Sequence, residues 1–265
     1  MTVGPFNPLN VLVDGNAEMT CLVEANPPVR SVRWMKNGAL LTNTNNHTIL
    51  RVKPDDSGKY DCVADNGVGG SNGQPGKDTL ELSVLYGPRV NVLPQREATI
   101  DDSLSVKCNV NSNPKPHSVI WLKTGDTSFR QTGDVLVLNR IQAEDSGEYI
   151  CVATNTLKPS GSGSLSFDKT ANATVEIKVK HKPGESWISP ENPIAIAGKP
   201  FTLTCQSKPP GYPEPNYKWW REGQEGQELG HEKTYKLIAV HVSHEGRYFC
   251  QAFNSLGKGK QTNKI

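Results

Sequence analysis

Six cysteines are the residues whose type and spacing most restrict the chemistry of this chain. Their number is even, and they recur along the sequence in three well-separated pairs. An even, regularly spaced set of this kind is typical of disulfide bonding and leaves no thiol as a nucleophile or a metal ligand. Disulfides persist in oxidising surroundings, so the cysteines indicate a secreted or cell-surface protein. They are Cys21, Cys62, Cys108, Cys151, Cys205 and Cys250.

Each pair of cysteines comes with a tryptophan and a tyrosine in the same order. The tryptophan follows the first cysteine, and the tyrosine stands two residues before the second. This order is the signature of an immunoglobulin-like β-sandwich, whose disulfide joins strands B and F and packs on the tryptophan of strand C. It therefore predicts an all-β fold of the I-set or C2-like kind with three disulfides. The predicted pairs are Cys21–Cys62 with Trp34, Cys108–Cys151 with Trp121, and Cys205–Cys250 with Trp219.

Three repeats of about 90 residues fill the chain, and one sandwich has about that size. Apolar residues alternate with polar ones at 80–84 and at 175–179, which indicates the last strand of the first and second repeats. We therefore predict domains at residues 1–86, 87–181 and 182–265, the third truncated in its last strand. The junctions contain proline and no Gly/Ser tract, so we expect an extended rod of roughly 100–120 Å.

Charge and composition exclude several classes of function. The 29 basic residues nearly balance the 27 acidic ones, and a net charge of +2 argues against nucleic acid or an anionic surface as the partner. No apolar run is long enough for a signal peptide or a membrane span. We therefore expect an excised section of a longer extracellular chain, attached to a plasma membrane only through segments that it does not contain.

The titratable residues form no catalytic or metal-binding pattern. Asp101 and Asp102 are adjacent and would face opposite sides of a strand, while His241 and His244 fall in a turn rather than on a helix. No nucleophile motif and no phosphate-binding loop occurs in the sequence. We predict no enzyme activity, no cofactor, no metal and no small-molecule substrate. His244 replaces the aspartate of the other two repeats, which predicts the loss of a turn contact in the third.

Several surface features allow both a binding role and a passive one. The Gly-rich F–G loops at residues 66–76 and 156–164 are long for hairpins, and tolerated insertions are favoured over binding loops. The basic stretch at residues 178–182 is favoured as a solvated linker face over a contact with heparan sulfate. Asn46 and Asn172 lie in Asn-x-Thr sequons, which predict glycosylation in a secreted protein.

Strand parity predicts where a protein partner would bind. Side chains alternate between the two faces of a strand, so the residues that flank an inward tryptophan or cysteine point outward. The outward residues of strands C and F are all apolar in the second repeat, and in the third a tryptophan lies beside a phenylalanine. Such patches mark protein interfaces, although a C′ strand, a glycan or an F–G loop would cover the same face. The predicted partner-binding residues are Ile120, Leu122, Ile150, Val152, Trp220 and Phe249.

Four stretches in the linkers and the third repeat are distinctive: LYGPRV (85–90), HKPGE (181–185), GKPFTLTC (198–205) and KPPGYPEP (208–215). They resemble those of a known group, the immunoglobulin-superfamily cell-adhesion molecules of the nephrin and echinoid kind. The resemblance implies a single-pass plasma-membrane protein at cell–cell junctions with roles in developmental signalling. It implies binding to a second copy of itself, to related immunoglobulin-superfamily adhesion proteins on apposed cells, or to both.

Two other classes of protein stay open at this point. The chain could be a ligand-binding ectodomain piece of a receptor kinase or phosphatase, whose catalytic domain would follow a membrane span. It could also belong to a mechanical, intracellular array of the muscle type. Three complete cysteine pairs argue against the intracellular array, because cytosolic thiols stay reduced.

Overall fold

The computed structural model of the protein describes residues 1–68, 74–161, 163–191, 193–224 and 226–261. Strands carry most of the regular structure in these residues, and the 3-10 helices at Pro54–Asp56, Ala143–Asp145 and Val242–His244 are single turns. The chain folds into three tandem immunoglobulin sandwiches, so the all-β fold predicted from the cysteine, tryptophan and tyrosine pattern is confirmed.

The strands follow one another in three groups, one for each sandwich. The first group is β1 (Thr2–Gly4), β2 (Leu9–Leu12), β3 (Ala17–Leu22), β4 (Ser31–Lys36), β5 (Ala39–Thr42), β6 (Asn46–Ile49), β7 (Gly58–Asp65) and β8 (Gly76–Asn91). The second is β9 (Gln95–Thr99), β10 (Leu104–Lys107), β11 (Asn109–Asn113), β12 (Ser118–Lys123), β13 (Asp126–Thr132), β14 (Val135–Leu138), β15 (Gly147–Leu157) and β16 (Phe167–Lys180). The third is β17 (Glu185–Ser189), β18 (Phe201–Lys208), β19 (Asn216–Arg221), β20 (Thr234–Leu237), β21 (Tyr248–Asn254) and β22 (Gly257–Lys258).

The backbone contacts divide the chain into two compact units. The first unit contains the first sandwich and part of the second, and the second unit contains the rest of the second sandwich and the third. The predicted domain limits at residues 86 and 181 fall inside these units and stay predictions. The first unit comprises residues 1–92, 107–134 and 150–174, and the second comprises residues 93–106, 135–149 and 175–265.

The first unit is organised around one long strand. β1, β3 and β6 form one sheet, and a second sheet runs in the order β11-β8-β7-β4-β5, with β2 parallel to β8. β8 pairs with β7 through its first part and with β11 through its second part. The limit predicted at residue 86 therefore lies within an unbroken strand. In the same unit β12 pairs with β13 on one side and neighbours β15 on the other.

The second unit contains two three-stranded sheets of the third sandwich, in the orders β17-β18-β20 and β19-β21-β22. Its part of the second sandwich includes the parallel pair of β9 with the end of β16, in which Gln95 lies opposite Glu176 and Thr99 opposite Lys180. This pairing is equivalent to that of β2 with β8 in the first sandwich, where a parallel strand also covers the last strand of the domain.

A disulfide and a tryptophan form the centre of each sandwich. The structure joins the cysteines as Cys21–Cys62, Cys108–Cys151 and Cys205–Cys250, with Cα–Cα distances of 6.3, 6.3 and 6.0 Å. Trp34, Trp121 and Trp219 have no exposed surface. Within the described residues no cysteine is free. Each core is therefore built on the pair of residues that the sequence signature names.

A tyrosine hydroxyl closes the turn before the F strand in all three sandwiches. Tyr60 donates to the carbonyl of Asp56 at 2.7 Å, and Tyr248 donates to that of His244 at 2.8 Å. Asp56 Oδ2 also accepts the amide of Lys53 at 2.7 Å, and His244 Nδ1 accepts that of His241 at 3.1 Å. The sequence predicted that the third sandwich loses the contact of the aspartate side chain in this turn. That prediction is wrong, because a neutral imidazole nitrogen accepts the hydrogen bond of the backbone amide as a carboxylate does.

A buried asparagine holds the strand that enters each of the last two sandwiches. Asn155 lies four residues after Cys151, and its Nδ2 donates to the carbonyls of Tyr86 and Pro114 at 3.0 and 2.9 Å. Asn254, at the equivalent position after Cys250, donates to the carbonyls of His181 and Pro213 at 2.9 and 3.0 Å. In both sandwiches one side-chain amide therefore binds a carbonyl of the incoming chain segment and a carbonyl of the loop that precedes β12 or β19.

Glu97 adds an ionic contact inside the second unit. Its Oε2 lies 2.7 Å from Lys180 Nζ, and its Oε1 accepts the hydroxyl of Tyr212 at 2.8 Å. The hydrogen bonds from Lys180 and then from Tyr212 hold the pKa of this carboxyl below its ordinary value. Because Lys180 ends β16 and Tyr212 belongs to the third sandwich, the carboxylate bridges two consecutive sandwiches.

We predict that Asn254→Ala destabilises the third sandwich. The change removes the two hydrogen bonds that Asn254 donates to the carbonyls of His181 and Pro213, and each such bond contributes about 0.5–1.5 kcal/mol net, while the His181 carbonyl keeps the amide of Tyr212 at 3.0 Å. Calorimetry should show the corresponding thermal transition several degrees lower. Asn216→Ala, at an exposed position on β19, is the control and should leave the transition unchanged. Equal stability of the two variants would contradict the role given to Asn254.

We predict that the Glu97 contact weakens as the pH falls. A carboxyl whose pKa is lower in the folded state stabilises that state above its unfolded pKa, and this contribution is lost as the pH falls through the lowered value. An NMR titration of the Glu97 carboxyl, with amide exchange at Tyr212, should report the loss at acid pH. After correction for the intrinsic pH dependence of amide exchange, Glu97→Gln should remove the loss of protection at acid pH. A Glu97 carboxyl that titrates at about 4.3, as in model peptides, would contradict the assignment.

Candidate functional site

The predicted binding face of the second sandwich lies on β12 and β15, which are neighbours in one sheet. Trp121 and Cys151 are completely buried, and the residues that flank them on both strands are half-buried. Burial alternates along β15, and on β12 the buried Trp121 lies between half-buried neighbours, so strand parity places the flanking side chains on the face of the sheet opposite the core. The structure therefore brings the four predicted residues onto one outer face. They are Ile120, Leu122, Ile150 and Val152.

The strand β13 extends this sheet sideways. Its residues Thr132 and Arg130 lie opposite Ile120 and Leu122 in the antiparallel register. A strand paired edge to edge adds its own side chains to the face and does not lie over it. The apolar face is thus bordered by a threonine and by an exposed arginine, which gives it a polar, cationic rim on that side.

The third sandwich presents an aromatic pair at the corresponding place. Trp220 and Phe249 lie directly opposite each other on β19 and β21, and their rings stack with centroids 6.0 Å apart and an interplanar angle of 9°. Both side chains are half-buried, while Trp219 and Cys250 beside them are buried. The prediction that these two aromatic residues share an outward face agrees with this geometry.

One aromatic residue of this face was not predicted. Phe253 is half-buried and continues the same outward alternation along β21, two positions beyond Gln251. The Nζ of Lys218 lies 5.8 Å from its ring centroid, within the range of a cation–π contact. The sequence contained the information that was needed to predict Phe253, because inward and outward residues continue to alternate beyond Phe249 and Gln251, the two positions that flank Cys250.

Both sequon asparagines lie at exposed positions on strands. Asn46 begins β6, opposite Thr20 on β3, and Asn172 lies on the middle of β16. Their exposure is compatible with the attachment of a glycan to either side chain. Glycosylation at the two sites stays a prediction.

The F–G loop of the second sandwich contacts the first sandwich. The amide of Ser160 donates to the carbonyl of Asn10 at 2.9 Å, and the amide of Asn10 donates to the hydroxyl of Ser160 at 2.9 Å. This part of the loop is therefore engaged within the first unit. Residue 162 of this loop and residues 69–73 of the first F–G loop lie outside the described residues.

The acidic and imidazole groups considered for metal binding have structural partners instead. Asp101 Oδ1 accepts the side-chain amide of Gln142 at 3.0 Å, and Asp102 Oδ2 accepts the amide of Thr99 at 3.3 Å. No group of three or more His, Cys, Asp or Glu side chains in the described ranges is placed to hold a metal ion. Nor does any helix among them have the length and apolar composition to cross a membrane.

Comparison with known proteins is consistent with this geometry. The sequence model of the immunoglobulin domain matches residues 2–66, 88–155 and 182–254. Human hemicentin-1 is 29% identical over 97% of this chain, and mouse Roundabout homolog 1 is 27% identical over 95% of it. Among solved structures, the Ig1–Ig3 ectodomain of mouse nectin-like molecule 4 matches with a TM-score of 0.56 and 20% identity, covering 96% of this chain and 94% of that one.

The relatives are much longer than the matched region. The chain spans 5% of hemicentin-1 and 16% of Roundabout homolog 1. These similarities therefore concern a small part of each relative. The finer likeness to the nephrin and echinoid kind stays a prediction, as does the set of partner-binding residues.

We predict that Leu122→Glu leaves the second sandwich folded, because this side chain points away from the core. Trp121→Glu, one residue away, should unfold the domain, since it removes a fully buried indole and places a charge in the core. Secretion yield and thermal melting measure both effects. The cost of Leu122→Glu should stay near 1 kcal/mol, and that of Trp121→Glu should exceed about 3–5 kcal/mol. If both variants unfolded, the parity assignment of β12 would be wrong.

Proposed function

The chain belongs to the immunoglobulin-domain family, and from that membership we propose that it is an extracellular adhesion fragment that recognises proteins on apposed cells through its sandwiches. Its partners are a second copy of itself, related immunoglobulin-superfamily adhesion proteins, or both. The observation that carries the proposal is the apolar outer face on β12 and β15, formed by Ile120, Leu122, Ile150 and Val152. We place the chain outside the plasma membrane, at cell–cell junctions.

The chemistry of this face suits contact with another protein. Apolar side chains on a solvent-facing sheet lose contact with water when a complementary surface covers them. A patch of roughly 200–300 Å² would contribute at most about 5–8 kcal/mol before the costs of association are subtracted. Because the four side chains are already half-buried, the remaining contribution lies at the low end of that range.

The stacked aromatic residues of the third sandwich are a second contact surface of the same kind. Tryptophan and other large aromatic residues often dominate the energy of interfaces, because they bury a large area at low conformational cost. Trp220, Phe249 and Phe253 lie on one outer face of β19 and β21. We propose that this face engages a partner together with, or in place of, the face on the second sandwich.

Weak individual contacts fit an adhesive function. Two arrays of molecules on facing cells make many contacts at once, so each contact gains from a high effective concentration. A face worth only a few kcal/mol is sufficient under these conditions and allows cells to separate again. We therefore propose that the fragment associates weakly in solution and strongly only when it is displayed at high density.

We predict that Leu122→Glu and Ile150→Lys abolish the aggregation of beads coated with the fragment. Each change places a charge in the centre of the apolar face, where a partner would have to desolvate it. The measurement is the size of bead clusters against time at equal coating density. Ser105→Glu serves as the matched control, since it adds a charge at an exposed position on β10 and should leave aggregation unchanged.

Mixed assays separate the two kinds of partner. Beads that aggregate by themselves indicate binding between identical chains, whereas beads that bind only to cells carrying related adhesion proteins indicate binding between different chains. Correctly folded Leu122→Glu and Ile150→Lys proteins that aggregate like the unchanged chain would exclude this face as the interface. The aromatic face would then be tested by Trp220→Glu in the same assay.

A further inference from the structure

A groove of about 920 Å³ lies on the second sandwich, and its lining contains none of the four apolar residues of the proposed adhesion face. It is formed by β11, the start of β12, the end of β13 and the last residues of β8. Four basic side chains line it, and all four are exposed to solvent. Asp134 is the one carboxylate among the described residues of its lining. The basic residues are Arg89, Lys107, Lys115 and His117.

The ion pairs of the groove leave it with an excess of positive charge. Lys107 pairs with Asp134, and these two charges offset each other. His117 Nε2 lies 3.8 Å from Asp168 Oδ1. This contact is weak, because the distance is long and both side chains are exposed to solvent. Arg89 lies over the ring of Tyr86, with 5.7 Å between the guanidinium carbon and the ring centroid. This contact leaves the positive charge of the guanidinium in place. Arg89 and Lys115 therefore give the groove two formal positive charges beyond the Lys107–Asp134 pair.

Neutral groups complete the lining in a way that suits a sugar chain. Asn91, Asn109 and Thr132 are lining residues with amide or hydroxyl groups, and Val90 and Val110, which lie opposite each other on β8 and β11, are apolar lining residues. Sugar rings present hydroxyl groups and apolar faces, so both parts of such a lining find a counterpart. The cations belong to long, exposed side chains, so no preorganised pocket for a single small anion is present. A polymer with repeated charges sums many weak contacts, whereas a single ion makes only one or two.

We propose that this groove binds a sulfated glycosaminoglycan chain. The inference rests on the extracellular location proposed above and is independent of the apolar face. Polyanion binding releases condensed counterions from the polymer, which makes affinity fall steeply with salt. A net charge of +2 for the whole chain is compatible with a local excess of positive charge, because the acidic residues that the structure describes, Asp134 excepted, lie outside the lining of the groove.

The basic stretch at residues 178–182 is a poorer candidate for the same ligand. Lys180 is engaged with Glu97 at 2.7 Å, and Lys178 lies 3.4 Å from Glu176. His181 is 6% exposed and holds the entry to the third sandwich through its backbone. The favoured interpretation of that stretch, a linker face rather than a glycan contact, agrees with these partners, and Lys182 in the stretch can serve as a control position.

The test is binding of the complete chain to immobilised heparin, the probe for the glycan class, in 0.15 M NaCl. We expect the double variant Arg89→Glu/Lys115→Glu to bind at least tenfold more weakly, with a shallower dependence of affinity on salt. Lys158→Glu/Lys182→Glu makes the same change of net charge at exposed positions outside the groove and should bind within about twofold of the unchanged chain. Arg89→Lys/Lys115→Arg should retain binding, since it preserves both charges. Circular dichroism and thermal melting confirm that each variant is folded.

Four results would overturn the proposal. The first is an unchanged chain that does not bind heparin at this salt concentration, and the second is an equal loss of affinity in the two charge-reversed pairs. The third is equally effective competition by polyglutamate at matched charge, which would indicate an acidic protein as the ligand. The fourth is binding that Leu122→Glu removes along with adhesion. A Leu122→Glu protein that no longer aggregates beads but still binds heparin is the result expected from both the groove proposal and the adhesion proposal.

Discussion

The contact between a buried disulfide and a buried tryptophan is the constraint on which the rest of this structure depends. Trp121 and Cys151 must both face the core, and the alternation of a strand then determines the direction of every neighbouring side chain. A shift of one residue in either strand would turn the core residues to solvent, so the register is strongly specified. The outward direction of Ile120 and Leu122 is thus a consequence of core packing and does not depend on their own chemistry.

The junctions between sandwiches follow from a second constraint, the need to satisfy backbone carbonyls where a strand leaves one domain and enters the next. Asn155 and Asn254 meet this need in the same way, each with one side-chain amide that donates to two carbonyls. The continuous strand β8 removes any flexible linker before the second sandwich, and Glu97 adds an ionic contact before the third. Each of these junctions is therefore held by specific hydrogen bonds within its own unit.

The fold could be read from the sequence because its determinants are local patterns with a fixed order. The cysteines, tryptophans and tyrosines identify the strands, and parity within those strands identifies the outward residues. The roles of Asn155 and Glu97 could not be found in this way, because their partners lie 69 residues and 115 residues away along the chain. The prediction that the third sandwich loses its turn contact at His244 was wrong for another reason. Different side chains can supply the same hydrogen-bond acceptor, so the replacement of aspartate by histidine did not remove the bond to the backbone amide.

The two surfaces of the second sandwich differ in the physics by which they would act. The proposed face around Leu122 would act by excluding water, a short-range effect that depends on shape and changes little with ionic strength. The groove around Lys115 would act by charge, whose effect extends over about 8 Å at physiological salt and weakens as salt rises. A ligand held in the groove could therefore gather copies of the chain on a polymer without occupying the face. Because one domain carries both surfaces, gathering would raise the local density on which weak, avidity-driven adhesion depends.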